Sequence, residues 1–364
     1  MGIDLKNPKP LYLQISEDLA SQITSGKLKI GEQLPSQQKL SGIYGVSLIT
    51  IKKALAHLVN LGILFTRVGK GTFIARESVP DDVSRHKLIG IVLSDLRNPF
   101  FSLILDSIEK KSSAYGYTIL FANSADEEER EESQIKHFLR LGVDGIIIAS
   151  TTHDYRANHT IRKLHERSFP YVMISYVADK DIYFVGVDHE KGGFIATQHL
   201  IQCGYDNIGY INGEEGNLLG YLRKGGYLRA LDAHGKPLQP DYIYQLTRNG
   251  NDYQAGYRIG KHFRELRSRP EAIFAYKDLV ALGFEQAVME DGLKVPDDVA
   301  IVGFDDIEND LYAPVPLTTV HQPVSEIGAI AVESVIRRIE GSPVTTRTIL
   351  EPKLVIRKSC GKAK

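Results

Sequence analysis

The N-terminal segment holds the first side chains whose type and spacing could do chemistry. Lys52 and Lys53 follow Thr50 within SLITIKKAL, and Lys70 stands between Gly69 and Gly71 in VGKGTF. A glycine-flanked lysine can cradle a phosphate, but the nucleotide-binding loop needs Gly-x4-Gly-Lys-Ser/Thr, and VGKGTF lacks that spacing. The use that remains is contact with nucleic acid, with ammonium groups for phosphates or base edges and a hydroxyl for either. No other stretch offers a nucleophile beside a base. The scattered His57, His153 and His321 read as structural or solvent-facing. Cys203 and Cys360 lie far apart, and no Cys/His cluster has metal-ligand spacing. We therefore expect no catalytic residue, no metal and no cofactor, with two free thiols in a reducing compartment.

To present Thr50 and the two lysines, the chain needs one helix held by another. Ser36, after Pro35, and Ser47 are N-cap candidates, each of which could equally face DNA. They open a short helix and, after a turn over Ile43 to Val46, a second helix. Ile51, Leu55, Leu58, Val59 and Leu61 give that second helix a core-facing stripe. Gly62 ends it, and β-type runs over 63–67 and 71–75 make a wing with Lys70 at its tip. Ahead of them, Leu11, Ile15, Leu19 and Ile23 predict a helix that stops at Gly26, and Lys27 to Leu34 read as a loop. Helix, turn, helix and wing is a device for placing side chains in the major groove. The charge agrees: residues 1–76 hold ten Lys/Arg against four acids, a net +6, while the remainder holds 34 against 41, a net −7.

Residues 77–87 are polar, contain Pro80 and read as a linker between a domain over 1–76 and a body over 88–364. In the body, apolar runs at 88–94, 117–122, 143–150, 171–175, 184–188, 207–212, 242–246, 272–276 and 299–305 alternate with amphipathic helices. That alternation predicts parallel sheets with right-handed crossovers. About 275 residues exceed one such sheet, so two doubly wound lobes with a ligand between them are expected.

Residues 8–75 resemble the winged-helix DNA-binding domain of the gluconate-repressor (GntR) family. The carrying motifs are PLYLQI, ITSGKLKIGEQLPS, GVSLITIKKAL, LVNLGIL and GKGTFIA. Where that family has arginine in LPSER and GVSR, this chain has Gln38 and Leu48. Glutamine can pair with adenine and leucine can touch a thymine methyl, so the operator is expected to differ from the family's usual one. The body resembles the lactose/galactose-repressor (LacI/GalR) effector domain, itself similar to periplasmic sugar-binding proteins. The resemblance rests on IGIVLSDLRNPFF, GVDGIIIAS, DHEKGGFIATQHLIQCGYDNIGYI, RKGGY, PEAIFAYKDLVALG, VPDDVAIVGFDD and PLTTVHQP. The combination looks like the arabinose-repressor type of bacterial regulator. It implies a small α+β winged helix-turn-helix domain followed by a two-lobed α/β periplasmic-binding-protein-like domain built on two doubly wound parallel sheets.

By matched position the resemblance puts Ser94, Asn98, Phe100 and Phe101 at the ligand cleft, the rings stacking on a sugar or packing a helix start. Thr151 ends GIIIAS and could add a hydroxyl. Arg223 matches the ligand-clamping arginine, Asp305 the hydroxyl acceptor, and Gln322 is a further candidate; Asp306 and Asp188 read as a loop brace and an N-cap. Lys277 replaces a sugar-contacting amide and Ser175 an aspartate. The added positive charge favours an acidic effector such as a sugar acid or phosphate, unless a carboxylate pairs with Lys277. The DNA-facing set is Ser36, Gln38, Ser47, Leu48, Thr50, Lys52, Lys53, Lys70 and Gly71. These expectations describe a cytoplasmic, homodimeric repressor of carbohydrate-utilisation genes. It would read double-stranded DNA at a palindromic operator, respond to a small sugar-type effector and have no membrane contact. The rival is a solute-binding receptor with no regulatory role, against which stand the N-terminal domain and the lack of an apolar leader.

Overall fold

A computed structural model describes residues 10–60, 62–67, 71–75, 87–149, 156–247 and 251–361, with the side chains of Asn60 and Ser175 excepted. Leu61, Lys70, Thr151 and the side chain of Ser175 therefore lie outside the described residues. The chain divides into two compact units, 1–86 and 87–364. No single helix among the described residues is long and apolar enough to cross a membrane.

The first unit packs three helices, α1 (Leu11–Thr24), α2 (Gln37–Tyr44) and α3 (Leu48–Asn60), with a hairpin of β1 (Leu64–Arg67) and β2 (Gly71–Ile74). Ile15, Leu19 and Ile23 of α1 meet Leu40, Ile51, Leu55 and Leu58 in one buried cluster with Leu34, Ile63 and Ile74. The expected loop before α2 contributes more than a connection. Gly31 N donates to Ile74 O at 2.8 Å, Leu34 N to Thr72 O at 2.9 Å, and Ile74 N to Glu32 O at 3.0 Å. Residues 31–34 thus pair with β2 through an isolated antiparallel bridge, Gln33 opposite Phe73.

The second unit has two sheets. Strands β3 (Leu88–Leu93), β4 (Thr118–Asn123), β5 (Gly145–Ala149), β6 (Tyr171–Ser175) and β7 (Phe184–Val187) build the N-terminal lobe. They alternate with α4 (Pro99–Ala114), α5 (Glu128–Leu141) and α6 (His159–Glu166). The chain then enters the C-terminal lobe through α7 (His189–Gln202), β8 (Ile208–Glu214), α8 (Leu218–Ala233), β9 (Ile243–Leu246) and α9 (Asp252–Phe263). It continues through β10 (Ala272–Ala275), α10 (Asp278–Glu290), β11 (Ala300–Asp305), α11 (Asn309–Tyr312) and β12 (Thr318–His321). It returns to the first lobe with α12 (Val324–Ile339) and β13 (Arg347–Leu350), and ends on β14 (Lys353–Val355) in the second.

Sheet order is β13-β7-β6-β5-β3-β4 in one lobe and β14-β12-β11-β10-β8-β9 in the other. Every pairing in these two sheets is parallel except β12 with β14. Parallel strands buried on both faces explain the near-continuous apolar runs at β3, β5 and β11. The lobes are joined three times, after β7, after β12 and after β13. Two of those joins lie side by side, with Asp188 N donating to Leu350 O at 3.1 Å.

Candidate functional sites

In the first unit the two serines cap helices. Ser36 Oγ accepts from Lys39 N, and Ser47 Oγ accepts from Thr50 N, both at 3.2 Å; Ser47 Oγ also shares a hydrogen bond with Thr50 Oγ1 at 2.8 Å. That bond points the Thr50 hydroxyl back along its own first turn. Gln38, Leu48, Lys52 and Lys53 are exposed. Lys53 leans over the Tyr12 ring at 5.5 Å, toward α1. Gly71 takes φ +106°, where any L side chain is strained, and a Cβ there would run into Gln33.

Two features escaped the sequence reading. Ile49, beside Leu48, is 73% exposed at the start of α3, and Ile43 in the turn is 61% exposed. In the wing, Phe65 and Phe73 stack at 5.6 Å with the Arg67 guanidinium over both rings. The helical period would have marked Ile49, since it lies off the stripe of Ile51, Leu55 and Leu58.

In the second unit, three of the expected effector residues converge at the carboxyl ends of the C-terminal lobe's strands. Arg223 on α8 is 1% exposed, and three polar neighbours orient its guanidinium. Nη1 donates to Tyr276 O, Nε and Nη2 reach His189 Nδ1 at 3.4 Å, and Nη2 lies 3.6 Å from Asp305 Oδ1. The guanidinium also stacks on Phe304 at 3.6 Å. Asp305 Oδ1 accepts from Gln322 Nε2 at 2.7 Å. Glycine makes this density possible, because a Cβ on Gly193 of α7 would collide with the backbone of Arg223. Asp305 and the next residue, Asp306, both hold positive φ, +135° and +59°, a strained turn at the end of β11. Burial pushes the Asp305 carboxyl up to about 7 against the pull of Arg223.

That turn is pinned from below. Asp278 accepts from Asp306 N at 2.6 Å, Ile307 N at 3.3 Å and Thr319 Oγ1 at 2.6 Å. Asp306 pairs with Arg357 at 2.5 Å and His321 at 2.8 Å, the brace expected of it. Burial, then the neighbouring Asp278 charge, drives Asp310 far above the carboxylate range. Asp278, Asp310 and Arg357 carry this support and were not singled out from sequence, where nothing marks a buried acid as such. Asp188 caps α7, its Oδ1 accepting from Lys191 N at 2.9 Å.

Lys277 stands apart from the clamp. Its Nζ meets Asp252 Oδ2 at 3.0 Å, and Tyr276 Oη donates to Asp252 Oδ1 at 3.2 Å. Burial favours the neutral amine, but Tyr276, Asp252 and Asp305 hold Lys277 above its ordinary value. The charge added by lysine is thus met inside its own lobe. Burial works against the Asp252 carboxylate, but Lys277, Tyr276 and, from the other lobe, Arg97 hold it below the ordinary carboxylate range.

The N-terminal lobe's candidates pack within that lobe. Ser94 is buried at the end of β3, and its carbonyl accepts from Asp126 N at 2.9 Å. Asn98 caps α4, its Oδ1 accepting from Phe100 N at 3.0 Å. Phe100 and Phe101 are buried edge to face at 5.4 Å among Ile104, Val324 and Ile327. The backbone of Ser175 closes β6 opposite Gly186.

A winged helix joined to a two-lobed α/β body, with a buried arginine–carboxylate clamp at the strand ends, defines a ligand-responsive DNA-binding regulator. Known proteins agree. Residues 11–74 match the model of bacterial regulatory proteins of the gntR family, and residues 197–360 that of a periplasmic binding protein-like domain. The arabinose metabolism transcriptional repressor of Geobacillus stearothermophilus is 31% identical over 96% of this chain and 97% of its own. The ribose operon repressor of Haemophilus influenzae is 30% identical over 76% of this chain and 82% of its own. Among solved structures, a LacI family transcriptional regulator from Enterococcus faecium with bound ribose superposes with TM-score 0.67 at 26% identity. It covers 76% of this chain and all of that one. The chain belongs to the family of bacterial transcriptional repressors that join a GntR winged helix to a periplasmic-binding-protein-like effector domain.

Proposed function

We propose that this regulator represses carbohydrate-utilisation genes and that a neutral sugar, held between its lobes, sets its affinity for the operator. The observation that carries the reading is the clamp of Arg223, Asp305 and Gln322. A guanidinium and a carboxylate, both buried and mutually oriented, suit vicinal hydroxyls, which donate to one and accept from the other. The Lys277–Asp252 pair favours a neutral ligand over an acidic one, because the lysine already has its counter-charge. A sugar acid or phosphate is the second reading, favoured by the replacement of the usual amide with Lys277.

A homodimer would set two copies of α3 on a palindromic operator, with half-site spacing fixed by the symmetry. Lys52 and the Leu48–Ile49 surface would meet the groove, the apolar pair suiting thymine methyls. Lys70 at the wing tip, next to Gly71, would add a phosphate contact. Thr151 and Ser175 remain candidates for hydroxyl contacts to the sugar.

A thermal-shift screen with L-arabinose, D-ribose, their acids and their phosphates tests the ligand. Stabilisation by a neutral sugar, lost in Asp305→Asn, supports the clamp. Stabilisation by acids alone overturns the neutral reading in favour of the second. A gel-shift titration on DNA upstream of the gene tests the rest: Lys52→Ala should weaken binding and lower the salt slope by about one. Unchanged binding would remove α3 from the interface.

A further inference from the structure

Asp310 of α11 is fully buried, and among the described residues neither of its carboxyl oxygens meets a hydrogen-bond donor. Arg357 Nη1 stands 3.8 Å from its Oδ2, beyond hydrogen-bond reach, and that guanidinium already bonds Asp306 and Leu317 O. What faces Asp310 is a second fully buried carboxyl, Asp278 at the start of α10. Asp278 is well served as a carboxylate. It accepts from the backbone N–H groups of residues 306 and 307 and from the Thr319 hydroxyl, at the positive end of its helix. It also lies tight against β11, where a Cβ on Gly303 would collide with its Oδ1. Two ionised carboxylates in contact repel and offer each other only acceptors. One proton between them removes the repulsion and makes the missing bond.

We propose that Asp310 is a carboxylic acid at neutral pH, whose hydroxyl donates to Asp278 and so fixes the turn that carries Asp305. Asp310 is then a positioning residue for the effector clamp, an assignment that rests on the clamp reading for what Asp305 does. The donors decide which member holds the proton: Asp278 has three and a helix N-terminus, all favouring its charge, and Asp310 has none. Burial and then the Asp278 charge hold Asp310 far above the carboxylate range, while bonds from Asp310, Thr319 and the turn pull Asp278 down against its own burial. The other charged or titratable groups around the pair are Asp305 and Asp306 on the turn, Arg357, His321 beside Asp306, and Lys277 next to Asp278. The N–H groups that Asp278 holds follow directly on Asp305, whose φ of +135° is strained. With Asp310 ionised, repulsion would drive Asp278 off those groups and release the turn.

The test is carboxyl NMR on the full chain labelled with 13C-aspartate, in the parent, Asp310→Asn and Asp310→Ala. One resonance missing from both variants should keep its protonated position at pH 8.5, where Asp305, raised to about 7, has ionised. Asp310→Asn keeps an N–H donor and should leave the Asp305 titration in place. Asp310→Ala removes the donor and should lower the Asp305 midpoint by about one pH unit as the turn opens to water. Urea denaturation gives a second reading. A raised folded pKa means that the folded chain keeps a proton the unfolded chain has lost, so stability falls as pH rises. The unfolding constant of the parent should therefore rise about tenfold per pH unit relative to Asp310→Asn, between about pH 5.5 and 8.5. An ionised carboxyl at that resonance overturns the proposal, as do coincident pH slopes or an Asp305 titration that Asp310→Ala leaves unmoved. Asp310→Asn alone decides through the first two readouts if Asp310→Ala does not fold. No sugar or DNA enters these measurements, so their failure leaves the sugar-responsive repressor reading standing, and a failed sugar screen leaves the proton where it is.

Discussion

The two lobes share a topology and differ in what they bury. Among the described residues, the C-terminal lobe buries five side chains of acidic or basic type: Arg223, Asp278, Glu285, Asp305 and Asp310. The N-terminal lobe buries one, Glu131, which accepts from Asn158 Nδ2 at 2.7 Å. At the cleft the contrast is sharper, with a clamp of ions on one side and Ser94, Asn98, Phe100 and Phe101 on the other. A buried ion pair is poor stabiliser per unit area, so its concentration in one lobe points to a task other than stability. On the proposed reading, the C-terminal lobe meets hydroxyls with Arg223 and Asp305. On the same reading the N-terminal lobe supplies a mostly uncharged wall, with the Arg97–Asp95 pair beside it.

The hardest blow to that contrast is Arg223→Met. It leaves Asp305 buried beside Gln322 with only the more distant Lys277 as cation, and the cost expected of breaking a buried pair is about 3–5 kcal/mol. Urea denaturation at pH 7 measures it. The loss should shrink at pH 5, because Asp305, already pushed up to about 7, protonates there. A loss below about 1 kcal/mol at pH 7 would mean that the pair is solvated and the clamp reading is wrong.

Glu285 asks whether the C-terminal lobe tolerates charge outside the cleft. Its Oε1 accepts from Val315 N at 2.9 Å, Oε2 has no partner among the described residues, and burial pushes the carboxyl up to about 7. A raised folded pKa favours the protonated form. The associated stability is therefore fully present below the unfolded value of 4.5 and is lost as pH rises through 7. Glu285→Gln should match the parent at pH 5 and exceed it by about 2–3 kcal/mol at pH 8.5. Equal stability at both pH values would place the carboxylate in water.

Much of this contrast lies beyond sequence patterns. Alternating apolar runs marked β3 through β11, because buried parallel strands are continuous in sequence. The last strands, β12 to β14, and α12 went unmarked: they are short, and the chain changes lobes between them, so order along the sequence stops reporting order in a sheet. Residues 31–34 pair through backbone alone, which leaves no side-chain signature. Motif position located Arg223 and Asp305, yet the partners that fix them, His189, Tyr276 O and Asp278, are set by packing. The cysteines make the same point. Far apart in sequence, Cys360 and Cys203 both approach His199 Nε2, at 3.1 and 3.6 Å.

A smaller effect tests the boundary between the walls. Asp252→Asn removes the partner of Lys277, a pair whose side chains are 25% and 22% exposed, so the stability cost is about 1 kcal/mol or less. Its value lies in specificity: with Lys277 released, ribonate should gain affinity relative to ribose in competition calorimetry. If the ratio stays fixed, Lys277 does not face the ligand, and the neutral-sugar preference has another cause.

The smallest effect comes from the N-terminal wall. Asn98→Ala removes one cap from α4, a change that costs about 1 kcal/mol in stability. Because Phe100 and Phe101 follow directly in the first turn, the same change loosens the aromatic edge of the N-terminal lobe. If that lobe closes on the sugar as a shape, Asn98→Asp should restore both stability and sugar affinity, since the carboxylate keeps the acceptor and suits the helix N-terminus. If instead Asn98 donates to the sugar through its amide, Asn98→Asp will recover the fold and leave the affinity low. The outcome decides whether the N-terminal wall acts through packing or through a polar contact of its own.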